Sequence, residues 1–200
     1  PRPERRTAQR AAWGAGDDDI WIGTVGWLAP WKQTELFLDM AERVAAKRPA
    51  CRFAIIGAAA HPSHEGYVAG LRARAAATLG ARCLFLGPTQ DLPRALAGLD
   101  ILTHTARAEP FGRVLVEAMA MELPVVAFAD GGVPEIVVEG ETGRLVAPGV
   151  ASEMAHAVSA LAGDASMRQR MGAAGRRRAL AEFSAETMVA RVQAVYAGLK

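Results

Sequence analysis

Short apolar runs alternate with longer amphipathic segments over most of this chain. Six runs of four to six residues predict β-strands at 20–25, 51–56, 83–86, 101–104, 124–128 and 143–146. The first segments between them carry apolar residues at helical spacing, for example Leu36, Met40 and Val44. Helices are predicted at 34–47, 65–79, 92–98 and 112–121, with a short helical turn at 134–138. Three further helices are predicted at 151–162, 166–183 and 185–199.

This order of elements predicts the fold class. Strands that alternate with helices form a parallel sheet whose two faces are both covered. We therefore expect a Rossmann-like, doubly wound α/β domain of about six strands at 20–183, with a closing helix at 184–200. The basic, polar residues 1–19 are interpreted as a linker or a surface helix. Ligands of such sheets bind beyond the carboxyl ends of the strands, which is where Gly26, Lys32 and residues 104–112 fall.

Composition narrows the choice of partners. The chain has 200 residues, 51% of them hydrophobic and 22% charged, and a net charge of only +2, so the overall balance favours no nucleic-acid partner. Cys51 and Cys83 each open an apolar run and are predicted to be reduced core residues of a cytoplasmic protein. No apolar run reaches membrane-spanning length, so contact with a membrane is expected to be peripheral at most. The chain starts at Pro1, not Met, which we read as a processed or excised piece.

The most informative stretch places one carboxylate on a loop and a second one in an apolar helix. Glu109 precedes Gly112, where the helix begins, and Glu117 lies one to two turns further on. Free N–H groups of a first helical turn can hold phosphate, and carboxylates can accept the hydroxyls of a sugar or a ribose. The helical neighbours of Glu117 are mostly apolar, and a carboxylate there is costly unless it is hydrogen-bonded. The pattern favours a nucleotide-sugar site over a solvated surface glutamate.

Two cations strengthen the expectation of an anionic ligand. Lys32 follows the first strand, and Arg113 lies in the first turn of its helix. A cation at a helix N-terminus opposes the helix dipole, so an anionic partner would offset that cost. From spacing alone, a surface lysine is about as good an interpretation of Lys32.

Other polar motifs are less specific. Gly131-Gly132 could bring the backbone close to a ligand, but a plain strand-to-helix turn is the favoured interpretation. His61 and His104 are interpreted as lone histidines rather than members of a ligand set, so no metal site is predicted. The turn from Gly23 to Gly26 does not complete a dinucleotide fingerprint, which argues against a nicotinamide enzyme.

Taken together, these motifs resemble the carboxy-terminal domain of the retaining GT-B glycosyltransferases of family 4, the "glycosyl transferases group 1" set. The resemblance covers the chain from about Ile20 to the last helix. The matching motifs, in family order, are Val25-Gly26 leading to Lys32, Phe85-Leu86-Gly87, Glu109-Pro110-Phe111-Gly112, Glu117-Ala118-Met119-Ala120, Pro124-Val125-Val126-Ala127, Gly131-Gly132 with Glu135, and Gly140-Glu141-Thr142-Gly143.

The resemblance implies a role for each site residue. In that family this domain binds the nucleotide-sugar donor, here a UDP-, GDP- or ADP-linked sugar, without a bound metal or further cofactor. Glu109, the catalytic candidate, would face the donor sugar, and Glu117 would face the ribose. Lys32 would hold the diphosphate beside the loop that Gly26 opens. The backbone of Phe111, Gly112, Arg113 and Val114 would share that task.

The sequence departs from the family pattern in three respects. Trp27 stands where the family usually has an arginine, for which Arg113 or Arg107 could substitute, and Gln33 stands where it usually has a glycine. The amino-terminal domain that supplies the acceptor site is missing from these 200 residues, so this half is expected to be inactive alone. Two alternatives remain open, a non-catalytic nucleotide-binding module and an assembly module derived from the family.

Overall fold

The computed structural model describes residues 3–198; Pro1, Arg2, Leu199 and Lys200, and with them the predicted end of the last helix, lie outside the described residues. The strands β1 (Ile20–Val25), β2 (Cys51–Ile56), β3 (Cys83–Gly87), β4 (Ile101–His104), β5 (Val125–Phe128) and β6 (Gly143–Val146) form one sheet. Every pairing between neighbours is parallel, and the order is β3-β2-β1-β4-β5-β6. The predicted doubly wound, Rossmann-like sheet is confirmed.

Nine helices accompany the sheet in the described part of the chain. They are α1 (Pro3–Ala12), α2 (Thr34–Lys47), α3 (Glu65–Thr78), α4 (Leu92–Ala97), α5 (Arg113–Ala120), α6 (Val133–Ile136), α7 (Ala151–Gly163), α8 (Ala165–Glu182) and α9 (Ala185–Ala197). Local chemistry sets several starts, because the side chains of Asp91, Asp164 and Ser184 accept backbone N–H groups of the helices that follow them. None of these helices is long and apolar enough to cross a membrane.

The two faces of the sheet each bury a separate core. In β1, Ile22 packs on the side of α2, α3 and α7, and Trp21 packs on the side of α4, α5 and α8. This division follows from the alternation of side chains along a strand. Phe37 and Phe53 meet edge to face on the first side, with ring centroids 6.3 Å apart. Both cysteines are buried and free, as the sequence predicts.

The amino-terminal segment forms a docked helix. Arg6 and Arg10 of α1 donate to Asp100, the residue just before β4, and the buried ring of Trp13 lies 4.9 Å from that of Trp21. The sequence left two interpretations open for this segment, a linker and a surface helix. The structure shows a helix, and these contacts hold it at the amino end of β4.

The last helix differs from the expected closing helix. α9 forms close to the predicted position, but none of its described residues is buried. Its large apolar side chains are instead exposed, at Met188, Val189, Val192, Val195 and Tyr196. α9 contacts the end of α8, where Thr187 Oγ1 donates to the Ala181 carbonyl at 3.0 Å.

Candidate functional site

A cleft opens at the carboxyl edge of the sheet, where the strand order reverses between β1 and β4. Its cavity of about 640 Å³ is bounded by the segments that follow β1 to β4 and by the start of α5. The eight residues that the sequence and the family resemblance single out all line this cavity: Gly26, Lys32, Glu109, Phe111, Gly112, Arg113, Val114 and Glu117. Strands far apart in sequence thus deliver these residues to one place, as expected for a topological switch point.

The loop that carries Glu109 is held in a strained, well-supported form. Ala108 has φ +46° and Gly112 has φ +81°, so left-handed residues stand on either side of the loop tip. The Asp130 carboxylate accepts the Ala108 N–H at 3.0 Å, and the Gly132 N–H donates to the Glu109 carbonyl at 2.8 Å. These backbone contacts hold Glu109 at a defined position beyond the carboxyl end of β4.

Gly131 and Gly132 pack directly against the backbone of the Glu109 loop. A Cβ at Gly131 would lie 2.3 Å from the Glu109 carbonyl oxygen, and a Cβ at Gly132 would lie 2.5 Å from the Pro110 carbonyl oxygen. Larger residues would therefore push the loop away. Both interpretations drawn from the sequence, a close approach to a ligand and a plain turn, miss this role, because the contact joins two segments that are remote along the chain.

The Glu109 carboxylate is the electrostatic centre of the cleft. Its Oε2 accepts from Lys32 Nζ at 2.5 Å and lies 3.1 Å from His104 Nε2, and the Glu109 side chain is only 10% exposed. The hydrogen bond from His104, followed by the contact with Lys32, lowers the pKa of Glu109 to about 2. Glu109 is therefore ionised and acceptor-only at neutral pH.

The sequence places His104 at the edge where ligands of such sheets bind, but it assigns His104 no role there once a metal site is rejected. The end of β4 buries His104, at 3% exposure, against Glu109. The available signal was its position, since it closes a strand and stands five residues before Glu109 on the loop that leaves that strand.

Lys32 reaches the cleft from a short 3-10 turn, Pro30–Lys32, which is tied to the Glu109 loop. The Thr105 hydroxyl donates to the Lys32 carbonyl at 2.8 Å, and the Arg107 N–H donates to the Trp31 carbonyl at 3.0 Å. Gln33 follows with φ +50°, in the left-handed region, which explains why a glycine suits this position in the family.

Helix α5 presents its first turn and Glu117 to the cavity. Gly112 precedes its first residue, and the helix turns Leu115, Ala118 and Met119 into the core. Glu117 is exposed, so the sequence-based argument that it lies in a costly apolar setting is wrong. Its helical neighbours Val114, Ala120 and Met121 are only partly buried, and Glu117 lies beside Val114 on the face that borders the cleft.

Three exposed aromatic rings form the rim of the cleft. Trp27, Trp31 and Phe111 are 58%, 47% and 46% exposed, and all three line the cavity. Trp27 is therefore not a core residue. The Lys32 ammonium lies 4.1 Å from the centre of the Trp31 ring.

The two arginines that could replace the missing family arginine are placed differently. Arg113 lines the cavity, whereas the Arg107 guanidinium is 3.8 Å from the Asp130 carboxylate and outside the cavity lining. Arg113 is the better placed of the two. Within residues 3–198, no group of three or more His, Cys, Asp and Glu residues could hold a metal ion; independence from metals stays a prediction.

The fold and the cleft define a class of protein: a Rossmann-like α/β domain with its ligand cleft at the switch point of a parallel sheet. Residues 5–178 match the family model described as "Glycosyl transferases group 1". The chain belongs to this family, as the resemblance of its motifs predicts.

Two curated relatives show how much of a family member is present. The chain is 38% identical over 166 residues to the D-inositol 3-phosphate glycosyltransferase of Mycobacterium tuberculosis (strain ATCC 25177 / H37Ra), covering 80% of this chain and 33% of that protein. It is 36% identical over 174 residues to the D-inositol 3-phosphate glycosyltransferase of Mycobacterium sp. (strain KMS), covering 84% and 38%. The aligned part thus spans 33% to 38% of the length of these relatives.

Two solved structures share the fold over nearly the whole chain. Anabaena Alr3699/HepE in complex with UDP-glucose superposes with a TM-score of 0.91 at 28% identity, covering 99% of this chain and 54% of that one. The C-terminal domain of a glycosyl transferase group 1 family protein (LpcC) from Francisella tularensis superposes with a TM-score of 0.83 at 25% identity, covering 92% and 95%. The domain is therefore one half of a GT-B fold.

Proposed function

We propose that this chain is the donor-binding half of a retaining glycosyltransferase that needs no metal ion, and that it is inactive in sugar transfer without the amino-terminal domain. The observation that carries the proposal is the convergence of Lys32, Glu109, Glu117 and the first turn of α5 on one cavity. The similar Anabaena Alr3699/HepE structure, which is in complex with UDP-glucose, supports a nucleotide sugar as the ligand.

The cleft can accommodate each part of such a donor. N–H groups of the first turn of α5 and the Lys32 ammonium bind the diphosphate, whose charge grows as it leaves the sugar. Glu117 accepts the ribose hydroxyls from the face of α5, and ionised Glu109 accepts hydroxyls of the sugar. With two protein cations, Lys32 and Arg113, beside the cavity, the leaving group is neutralised by the chain itself.

The partners follow from the same assignment. The donor is a UDP-, GDP- or ADP-linked sugar, and the amino-terminal domain supplies the acceptor site. Two free, buried cysteines support a cytoplasmic setting. Nucleic acid is not a partner, and contact with a membrane is peripheral at most.

A thermal-shift screen of UDP, GDP, ADP and their sugar conjugates tests the proposal on this chain. A ligand at about a hundred times its dissociation constant should stabilise the fold by roughly 2.7 kcal/mol. Failure of every nucleotide to raise the melting temperature would overturn the proposal, and so would robust sugar transfer by residues 1–200 alone.

The position occupied by Trp27 keeps one competing function open, a nucleotide-binding module that has lost catalysis. This alternative predicts the same thermal shifts but no sugar transfer when the amino-terminal domain is present in the same chain. Measuring transfer by that longer chain separates the two functions.

The role of Glu109 has its own test. Glu109→Ala should not weaken the affinity for the bare nucleoside diphosphate, since it also releases Lys32, and should weaken the preference for the sugar conjugate, because Glu109 precedes α5 and lies on the sugar side of the phosphate site. Calorimetric titration of both ligands measures the preference. An equal loss for both ligands would show that Glu109 is not a sugar contact.

A further inference from the structure

One carboxylate oxygen in the cleft serves two donors. Glu109 Oε2 accepts from Lys32 Nζ, and the same oxygen lies 3.1 Å from His104 Nε2. Because an ionised carboxylate only accepts hydrogen bonds, His104 must carry its hydrogen on Nε2 for this contact. Lys32 and His104 thus hold the same atom from two different elements.

The two donors differ in their freedom to leave. His104 belongs to β4, where it pairs with Ala127 of β5, and its side chain is 3% exposed. Lys32 lies in a short 3-10 turn on a flexible four-carbon side chain, is 16% exposed, and borders the cavity. A diphosphate in the cavity would compete with Glu109 for the Lys32 ammonium, whereas nothing in the cavity could displace His104.

A nearly buried carboxylate that loses its cation is costly unless another donor remains. We propose that His104 is the positioning residue of this cleft, which keeps Glu109 in place and ionised when Lys32 turns from Glu109 to the diphosphate. The inference rests on the proposed function, since it takes a nucleoside diphosphate as the ligand. In this scheme Lys32 is stored on Glu109 in the empty cleft and is transferred to the ligand on binding.

Proton uptake on binding distinguishes this role from a structural one. Calorimetry of UDP, GDP or ADP, whichever the wild type binds, is run at pH 5.5 in buffers of different ionisation enthalpy, for the wild type, His104→Leu and His104→Gln. The Gln amide nitrogen lies near the Nε2 position and can donate to Glu109, whereas Leu cannot. The protonation of the ligand itself is the same in all three titrations and cancels in their differences.

We expect His104→Leu to take up additional protons on binding, because Glu109 becomes protonated when Lys32 leaves it. His104→Gln is the reference for this uptake, because neither Gln nor Leu can be protonated at that position, whereas the wild-type imidazole can. The Leu variant should also lose about fivefold in its preference for the sugar conjugate over the bare diphosphate. Adding Glu109→Gln to His104→Leu should abolish the additional proton uptake, which assigns it to Glu109.

If His104→Leu does not fold, the pair His104→Asn and His104→Gln replaces it, because the shorter Asn amide lies near Nδ1 and does not reach Glu109. Equal proton uptake in His104→Gln and the variant that lacks the donor overturns the inference while leaving the proposed function intact. Absence of nucleotide binding by the wild type instead overturns the proposed function.

Discussion

The two ends of β4 each carry a carboxylate that is almost equally buried. Asp100 stands just before the strand with its side chain 8% exposed, and Glu109 follows the strand with its side chain 10% exposed. Each has two donor side chains: Arg6 and Arg10 for Asp100, Lys32 and His104 for Glu109. Burial and the number of donor side chains are thus matched, and the two sites differ in the kind of donor.

At the amino end, the donors are fixed. Arg6 and Arg10 lie on one helix, and both also donate to backbone carbonyls, Arg6 to Leu99 at 2.9 Å and Arg10 to Gly98 at 3.2 Å. Asp100 further accepts the Trp21 N–H at 2.7 Å. Guanidinium groups bound in several places hold the helix on the sheet, so this carboxylate has a structural role.

At the carboxyl end, one donor is fixed and one can move. His104 is part of the sheet, whereas Lys32 contributes a single ammonium beside an open cavity of about 640 Å³. The comparison teaches that burial of a carboxylate does not by itself mark a functional site. A neighbouring cavity does not mark one either, because Arg6 and Asp100 border a cavity of about 610 Å³. The two sites differ in whether a donor can exchange its partner.

The largest effect on stability is expected at the amino end. Asp100→Ala should lower the free energy of unfolding by about 3 to 5 kcal/mol, because it leaves Arg10 and the Trp21 N–H without their partner in a buried setting. Urea denaturation measures the change. Exposed Asp18→Ala is the control and should stay within about 0.5 kcal/mol. A loss below about 1 kcal/mol at Asp100 would remove the structural half of the comparison.

At the carboxyl end of β4, Glu109 should make the free energy of unfolding depend on pH. The pKa of Glu109 is lowered to about 2 in the folded chain. Its contribution is therefore fully present above the unfolded pKa of about 4.3 and is lost as the pH falls towards 2. Relative to Glu109→Gln, the wild type should lose about 2 to 3 kcal/mol of unfolding free energy across this window.

Urea denaturation at steps from pH 6 to pH 2.5 measures both proteins in that experiment. Parallel curves for the wild type and Glu109→Gln would show that the contacts of Glu109 with His104 and Lys32 do not stabilise the fold.

A smaller effect, on binding alone, is expected at Glu117. Glu117→Ala should weaken nucleotide binding by about 1.5 to 3 kcal/mol without changing the melting temperature, because the side chain is exposed and borders the cavity. Exposed Glu141→Ala, outside the cavity lining, is the matched control. The affinity is measured by calorimetry. An unchanged affinity in Glu117→Ala would show that Glu117 is a solvated surface residue and not a ligand contact.

The smallest effect on affinity is expected from adding a second cation near Lys32, at the carboxyl end of β4. Trp27→Arg should strengthen diphosphate binding by about 1 to 2 kcal/mol, and the gain should shrink with added salt. Because Trp27 is exposed, the fold should tolerate the change. If Arg113 already substitutes, Arg113→Ala should weaken the parent more than it weakens Trp27→Arg. No gain in affinity, together with a harmless Arg113→Ala, would end the idea of compensation.

Much of this structure could be read from local pattern. The six strands and the predicted helices begin and end within about two residues of their predicted positions, because the spacing of apolar residues and the capping side chains act locally. The eight site residues line one cavity because strand ends converge at the edge of a parallel sheet. That convergence required only the order of elements and the motifs.

Contacts between remote segments could not be read in this way. The burial of Glu117 was misjudged because its apolar helical neighbours Val114, Ala120 and Met121 are themselves only partly buried and leave the carboxylate exposed. The packing of Gly131 and Gly132 against the Glu109 loop joins residues more than 20 positions apart. The exposure of the apolar side chains of α9 depends on which surfaces the rest of the fold leaves open to it.

The sequence alone therefore determined the class of fold, through periodicity and turn chemistry that act over a few residues, and through its motifs the family and the edge of the sheet at which the cleft lies. Only the tertiary structure decided which of two buried carboxylates has a cation that can exchange. Asp100 and Glu109 have similar burial, and their difference lies in donors brought from α1, from β4 and from the turn after β1. These donors come from segments that are far apart in the sequence and meet only in the folded chain. No pattern over a few neighbouring residues can predict such a contact.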